Sequence, residues 1–247
     1  MKKCLMFLPV ICLMLSSCQT TSIPSTSDLA SASESITYEE ELRANSVSWG
    51  LGGDITEYVS NDRDYEWYVD QRTTGTYWNV NCGPTSVEMA GRWSDENFAY
   101  TAEDARASYR PTGGWWYDID IQGALNQFSI PNVASTITAS SDMISLLDDG
   151  KILLVNPDMS KLTYQRDLAF HTERFYKDVT GHYLIIKGYV IVDEISFFEV
   201  YDPWSVGVKY SNGVLKGKNR YYTAASLTNS LLSWYTKIYA ISPVNNI

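Results

Sequence analysis

One cysteine stands apart from the others in this chain and is a candidate nucleophile. Of the four cysteines, only Cys82 lies beyond residue 18, and the two histidines of the chain, His171 and His182, both follow it. A lone cysteine with a histidine and an Asp or Asn further along the chain is the pattern expected of a catalytic thiol. Asp202 follows His182. These residue types allow Cys-His-Asp chemistry, in which a thiolate attacks a carbonyl carbon.

The residues after Cys82 predict the start of a helix. Pro84 suits the first turn of a helix, where its missing N–H costs nothing. Apolar residues then recur at helical spacing, at Val87, Ala90 and Trp93. The free N–H groups and the positive dipole end of a helix favour a thiolate at this position. An isolated cysteine can also be a small buried hydrophobe, but the Gly-Pro that follows and the helix start favour a nucleophile.

His182 and Asp202 are predicted to lie on neighbouring strands. His182 follows Gly181 at the start of one strand, and Asp202 ends the next. If the strands form a hairpin, Asp202 can orient the ring of His182 while the other ring nitrogen faces the sulfur. His171 competes for the role of base, but its segment is polar and aromatic, without strand alternation. We therefore expect His182 to be the base and His171 to line the cleft or lie on the surface.

Gln71 is a candidate for the oxyanion site. It lies eleven residues before Cys82, and its side-chain N–H can stabilise a developing oxyanion together with the backbone N–H of Cys82. A loop glutamine alone is a weak signal, and the order Gln, Cys, His, Asp strengthens it. Two histidines and one thiol without ligand spacing make a poor zinc site, so we expect no metal and no cofactor.

The elements that must position these residues are helices first and strands second. Periodicity and capping predict further helices over residues 101–109, 118–128, 142–149 and 224–234. Strands are predicted over residues 66–70, 151–156, 183–190, 196–201 and 237–242. Asn212-Gly213 is a strong hairpin signal. Helices followed by an antiparallel sheet indicate the α+β class.

Three short blocks resemble papain-like cysteine peptidases related to the bacteriocin-leader (double-glycine) peptidases. They are Asn81-Cys82-Gly83-Pro84-Thr85 with the helix that follows, the histidine strand at residues 181–189, and Tyr201-Asp202-Pro203-Trp204. The resemblance spans roughly residues 66–242 and implies a papain-like fold. It also implies four roles: nucleophile for Cys82, base for His182, orienting residue for Asp202 and oxyanion donor for Gln71. The spacing from Gln71 to Cys82 is long for leader-processing members, so cleavage after a double glycine is not expected.

The first residues have the pattern of a bacterial export signal. Lys2 and Lys3 precede an apolar run, at residues 5–15, that is too short to span a bilayer. Leu15-Ser16-Ser17-Cys18 resembles a lipoprotein lipobox, which implies cleavage before Cys18 and lipidation at that cysteine. A plain secretory signal or a single spanning helix is the alternative. We expect a lipid-anchored, extracytoplasmic protein of the cell envelope, at the outer membrane if the cell has two membranes.

Composition sets the expected domain organisation. Half of residues 19–36 are Ser or Thr, and such a stretch buries too little apolar surface to offset its ordering entropy. We expect a signal peptide over residues 1–17, a lipidated cysteine and flexible stalk over 18–45, and one domain over 46–247. Losing Lys2 and Lys3 with the signal changes the net charge from −10 to −12. The acidic balance and the lack of a basic block in the sequence exclude a nucleic-acid partner.

The sequence predicts a peptidase whose loops are rich in aromatic residues. Of eight Trp and eighteen Tyr, most are expected to fill the core and its rim, whereas residues 115–117 suit a loop beside a cleft. The predicted activity is cleavage of a peptide or amide bond in a peptide or protein substrate, through a thioester acyl-enzyme. Two alternatives stay open. One is a transglutaminase-type acyltransferase with the same Cys-His-Asp order, and the other is a catalytically silent binding module.

Overall fold

The chain forms a helical part followed by an antiparallel sheet. The computed structural model describes residues 36–177 and 180–244. Its helices are α1 (Tyr38–Asn45), α2 (Cys82–Ser94), α3 (Ala102–Ser108), α4 (Asp118–Gln127), α5 (Ser140–Asp148) and α6 (Ala224–Trp234). Its strands are β1 (Ile55–Ser60), β2 (Asn132–Thr136), β3 (Ile152–Val155), β4 (Leu184–Val192), β5 (Ile195–Tyr201), β6 (Arg220–Thr223) and β7 (Lys237–Ile241). This arrangement confirms the α+β class.

The sheet brings the ends of β4 and β5 together. In the described part of the chain, the strands form one seven-stranded antiparallel sheet in the order β2-β7-β3-β4-β5-β6, with β1 paired to β4. A two-residue turn at Asp193 and Glu194 joins β4 to β5, and both residues have positive φ, as tight hairpin turns require. The far end of this hairpin pairs Ile185 with Tyr201. His182 and Asp202 therefore lie at the same end of the sheet.

The sheet is covered on both faces, which explains its continuous apolar runs. Ile152 and Leu154 of β3 belong to the core cluster that includes α2 and α4. Leu153 and Val155 belong to the cluster that includes α5 and α6. Successive side chains of a strand point to opposite faces, so a strand between two helical layers is apolar at every position. The rigid sheet thus supports α2, and with it Cys82, on one face.

Most predicted elements are confirmed, and one strand is wrong. Each further predicted helix and the other predicted strands are observed with shifts of a few residues at their ends. Residues 66–70 form no strand. Trp67, Tyr68 and Val69 are apolar because they are buried in the core, not because they pair in a sheet. The Asn212-Gly213 signal marks a tight turn, closed by the bond from Tyr210 N to Val214 O and flanked by a single antiparallel bridge between Lys209 and Leu215.

Helix α1 belongs to the domain, which corrects the expected boundary. Tyr38–Ile247 form one compact unit. Leu42 of α1 is completely buried in a cluster with Val190 and Phe197, and Tyr38 Oη lies 2.8 Å from Tyr221 Oη. Residues 38–45 are therefore part of the fold and not of a stalk. The expected signal peptide, the lipidated Cys18 and the rest of the stalk up to residue 35 lie outside the described residues.

Candidate active site

Cys82 is the first residue of α2 and lies at the bottom of a cleft. A short 3-10 turn, Trp78–Val80, leads into it. The helix begins here because Thr85 donates both its backbone N–H and its hydroxyl to the Asn81 carbonyl, at 2.9 and 2.6 Å. The Cys82 side chain is only 5% exposed, and the backbone N–H groups of Gly83 and Tyr183 act on its sulfur to lower the pKa of the thiol. Donors surrounding the sulfur favour its thiolate form.

The β4–β5 hairpin brings His182 into contact with Asp202 and places it beside Cys82. His182 Nε2 lies 2.7 Å from Asp202 Oδ1, and His182 lines the same cleft as Cys82, close enough for its charge to act on the thiol. Because Nε2 faces the carboxylate, Nδ1 is the ring nitrogen left for the sulfur. Asp202 is completely buried, and it also accepts hydrogen bonds from Trp204 N and Tyr176 Oη, both at 2.8 Å. These contacts fix the ring in one orientation.

Charge interactions shift the pKa values of all three groups toward their charged forms. Burial raises the pKa of Cys82, but the hydrogen bond and the charge of His182 outweigh burial and lower it. Burial lowers the pKa of His182, and the charge and hydrogen bond of Asp202 reverse this effect and raise the pKa to about 10. The pKa of Asp202 is lowered despite burial, chiefly by the charge of His182. All three shifts favour the charged forms, which are thiolate, imidazolium and carboxylate.

Gln71 lines the same cleft as Cys82. It is buried at the start of a 3-10 turn, Gln71–Thr73, and its backbone N–H donates to the Pro203 carbonyl at 2.9 Å. Its side-chain Nε2 donates to the Trp78 carbonyl at 2.7 Å. An amide nitrogen carries two hydrogens, so this bond fixes the amide and leaves one N–H for another acceptor. The loop between Gln71 and Cys82 therefore folds back on itself, so that Gln71 lies in the same cleft as the nucleophile despite the long spacing in sequence.

Aromatic side chains form the walls of the cleft, which has a volume of about 70 Å³. Trp115, Tyr176 and Trp204 line it. Trp115 is half exposed, as expected for a loop beside a cleft. Trp116 is instead buried and packs closely on Gly83, where an added Cβ would lie 3.0 Å from the Trp116 Cβ. Tyr176 is a site residue that the sequence did not reveal, because no strand or helix pattern marks its segment.

His171 does not line the cleft of Cys82, contrary to expectation, and it borders two other pockets instead. Its ring is stacked between Trp49 and Tyr210, with ring centroids 4.0 and 3.8 Å away, and it is buried. Burial and the charge of Arg220 lower its pKa to about 3. His171 is therefore neutral at ordinary pH and far from the geometry of a base for Cys82. Within the described residues, no group of three or more His, Cys, Asp or Glu side chains could hold a metal ion.

Comparison with known proteins supports the fold. No protein-family model matches the chain, and no curated protein matches it. A crystal structure of a Bacillus anthracis protein, assigned as a C39-like peptidase, matches with a TM-score of 0.50 at 10% sequence identity. The match covers 76% of this chain and 98% of that chain. The likeness, together with a helix that begins at Cys82 and a sheet that carries His182 and Asp202, confirms the papain-like α+β fold.

Loss of His182 should abolish the reactivity of Cys82 toward iodoacetamide at mildly acidic pH. In the wild type, the lowered pKa of Cys82 supplies thiolate below the usual value of ~8.5. In His182→Ala, burial is left as the largest effect on the thiol, so the midpoint of the pH–rate curve should move above ~8.5. The rate of Cys82 alkylation, followed by mass spectrometry across the pH range, measures this shift.

His171→Phe is the matched control for that experiment. Phenylalanine keeps an aromatic ring between Trp49 and Tyr210 while it removes the second imidazole. We expect His171→Phe to keep the wild-type pH–rate curve. Low-pH reactivity that survives in His182→Ala and disappears in His171→Phe would identify His171 as the base instead.

Proposed function

We propose that the chain is a cysteine peptidase that hydrolyses peptide or amide bonds. The observation that carries the proposal is the buried contact of 2.7 Å between His182 Nε2 and Asp202 Oδ1, with Cys82 beside His182 in the same cleft. A thiol, an imidazole and an orienting carboxylate in this order are what nucleophilic acyl chemistry requires. The fold shared with a protein assigned as a C39-like peptidase supports the same activity.

The proposed reaction begins with the thiolate of Cys82. Its sulfur attacks the carbonyl carbon of the scissile bond, and the carbonyl electrons move to the oxygen. The second N–H of the Gln71 amide and the backbone N–H of Cys82 are the donors for this oxyanion. The Cys82 N–H has no partner within its own helix because it belongs to the first turn.

Proton transfer by His182 completes the first half of the reaction. Its protonated Nδ1 donates to the leaving amine as the C–N bond breaks, and a thioester to Cys82 remains. The now neutral His182 accepts a proton from water, which attacks the thioester and releases the acid. Asp202 keeps the ring oriented and stabilises the imidazolium in both halves. A transglutaminase-type acyltransferase differs only in that an amine, rather than water, resolves the thioester.

Digestion of an unbiased peptide library tests this proposal. The wild type should release peptide fragments, and Cys82→Ala should release none, because no other described residue supplies the thiol. Repeating the digest with an added primary amine, and identifying products by mass spectrometry, separates hydrolysis from acyl transfer. Fragments with free carboxyl ends support the peptidase, whereas predominantly amide-linked products support the transferase. A protein whose Cys82 yields neither product would be a binding module, and the proposal would be wrong.

Gln71→Ala should lower kcat by about 10²–10³ while the fold is retained. The physical reason is the loss of one donor to the oxyanion, which the bond to the Trp78 carbonyl holds in place. Gln127→Ala is the matched control, since Gln127 is exposed at the end of α4. Steady-state kinetics on a peptide identified in the digest, with circular dichroism for the fold, measures the effect. An unchanged kcat in Gln71→Ala would remove Gln71 from the oxyanion site.

We further propose that Cys18 anchors the protein to the cell envelope through lipid. The support is the lipobox-like Leu15-Ser16-Ser17-Cys18. Separately, in the described part of the chain no helix has the length and apolar character to cross a membrane. Cys18→Ala should yield a protein without lipid, whereas Cys12→Ala, which leaves the lipobox intact, should be lipidated as the wild type is. Mass spectrometry of the mature N-terminus measures the modification. A wild-type protein without lipid on Cys18 would refute the anchor.

A further inference from the structure

We infer that Arg106 is a positioning residue. It fixes Cys82, the segment of Gln71 and the loop of Trp115 relative to one another. The inference rests on the proposed function, in which Cys82 is the nucleophile. Arg106 lies on α3 and is only 4% exposed, which is rare for arginine unless its donors are satisfied. Its Nε donates to Asn81 Oδ1 at 2.9 Å, and its Nη2 donates to the Val80 carbonyl at 3.1 Å. The two residues directly before Cys82 are thus fixed by one guanidinium.

Asn81 carries this connection to the segment of Gln71. Its side-chain Nδ2 donates to the carbonyl and the hydroxyl of Thr74, at 2.8 and 3.1 Å. Thr74 in turn donates its hydroxyl and its backbone N–H to the Gln71 carbonyl, at 2.6 and 3.1 Å. The acceptor end of the Asn81 amide is held by Arg106 and its donor end by Thr74. A displacement of Arg106 is therefore transmitted to both the nucleophile and the proposed oxyanion donor.

The same guanidinium also holds the loop that carries Trp115. Its Nη1 donates to the Gly114 carbonyl at 3.0 Å. Gly114 has a positive φ of 92°, and nothing lies within 4 Å of the position where its Cβ would be. The space beside Gly114 is open, and the hydrogen bond from Arg106 holds its carbonyl in place. Trp115, the next residue, lines the cleft beside Cys82.

Arg106 also brings a buried positive charge close to Cys82. Cys82, Asp120, Arg110 and Tyr77 are the ionisable groups that interact with its charge. Asp120 already pairs with Arg110 at 2.6 Å, and among the described residues Arg106 forms no ion pair with a carboxylate of its own. The negative charge of the Cys82 thiolate can balance the positive charge of Arg106 as well as that of the His182 imidazolium. The arginine thus serves both the geometry and the charge of the site.

Two substitutions separate these contributions. Arg106→Lys keeps the charge but loses the planar fork of donors, and Arg106→Met loses both. Arg43→Met is the control for the loss of an arginine, because Arg43 lies on α1, is exposed and pairs with Glu39. Each variant is assayed well below its melting temperature for kcat and KM, and for the pH dependence of Cys82 alkylation. The alkylation measurement requires no substrate.

We expect Arg106→Lys to lower kcat by roughly tenfold or more, because small misplacements of a nucleophile are costly. Its KM for a short substrate and its alkylation midpoint should stay near the wild-type values. Arg106→Met should lower kcat further and move the alkylation midpoint to higher pH. Each pKa unit of that movement lowers the rate below the midpoint about tenfold. Arg43→Met should change neither quantity.

The inference is overturned if Arg106→Met matches Arg43→Met in kcat and in alkylation and differs only in melting temperature. If Arg106→Met does not fold, Arg106→Lys decides. A lowered kcat with an unchanged alkylation midpoint supports the inference, and wild-type values for both contradict it. A wild type that cleaves no peptide would refute the proposed function alone, because the alkylation curves still report whether Arg106 acts on Cys82.

Discussion

The candidate site depends on a carboxylate buried completely inside the protein, that of Asp202. An ionised carboxylate without solvent is unstable unless donors surround it. Its Oδ1 accepts from His182 Nε2 and from Trp204 N, and its Oδ2 accepts from Tyr176 Oη and, at 3.5 Å, from Tyr222 Oη. The Asp202 carboxylate stays ionised only if four elements are in place. They are the strand β4, the loop after β5, the segment before His182 and the strand β6. The protonation state of the site therefore depends on the complete fold.

The hairpin that carries this pair is fixed by a second buried ion pair further along the same strands. Lys187 Nζ lies 2.9 Å from Glu199 Oε1, and both side chains are completely buried. Lys187 stands where the pairing of β4 with β5 shifts register, between Ile186 and Gly188, and such bulges redirect a side chain. An added Cβ at Gly188 would collide with the Val59 carbonyl of β1. A slip of one residue would separate both ion pairs, so charge pairing and close backbone contact together specify the register.

Elements with a local signal were predictable, and elements that depend on distant partners were not. The start of α2 was predictable because Pro84 and the apolar spacing after it suffice. Strand β2 lies at the sheet edge with an exposed surface, so it lacks the buried alternation that marks a strand. Strand β6 contains the buried Arg220, whose donors are satisfied by the carbonyls of Phe170, Thr172 and Glu173. A charged residue inside a strand is explained only by those long-range contacts.

The two histidines show why the protonation states in the site cannot be derived from sequence. Both rings are buried, and burial lowers the pKa of each. Asp202 then raises the pKa of His182 to about 10, whereas Arg220 lowers that of His171 further, to about 3. The sign of the neighbouring charge, not the degree of burial, separates a base that can hold a proton from a neutral ring in an aromatic stack. That neighbour is chosen by the fold: Asp202 through the β4–β5 hairpin, and Arg220 through β6, which pairs on the far side of β5.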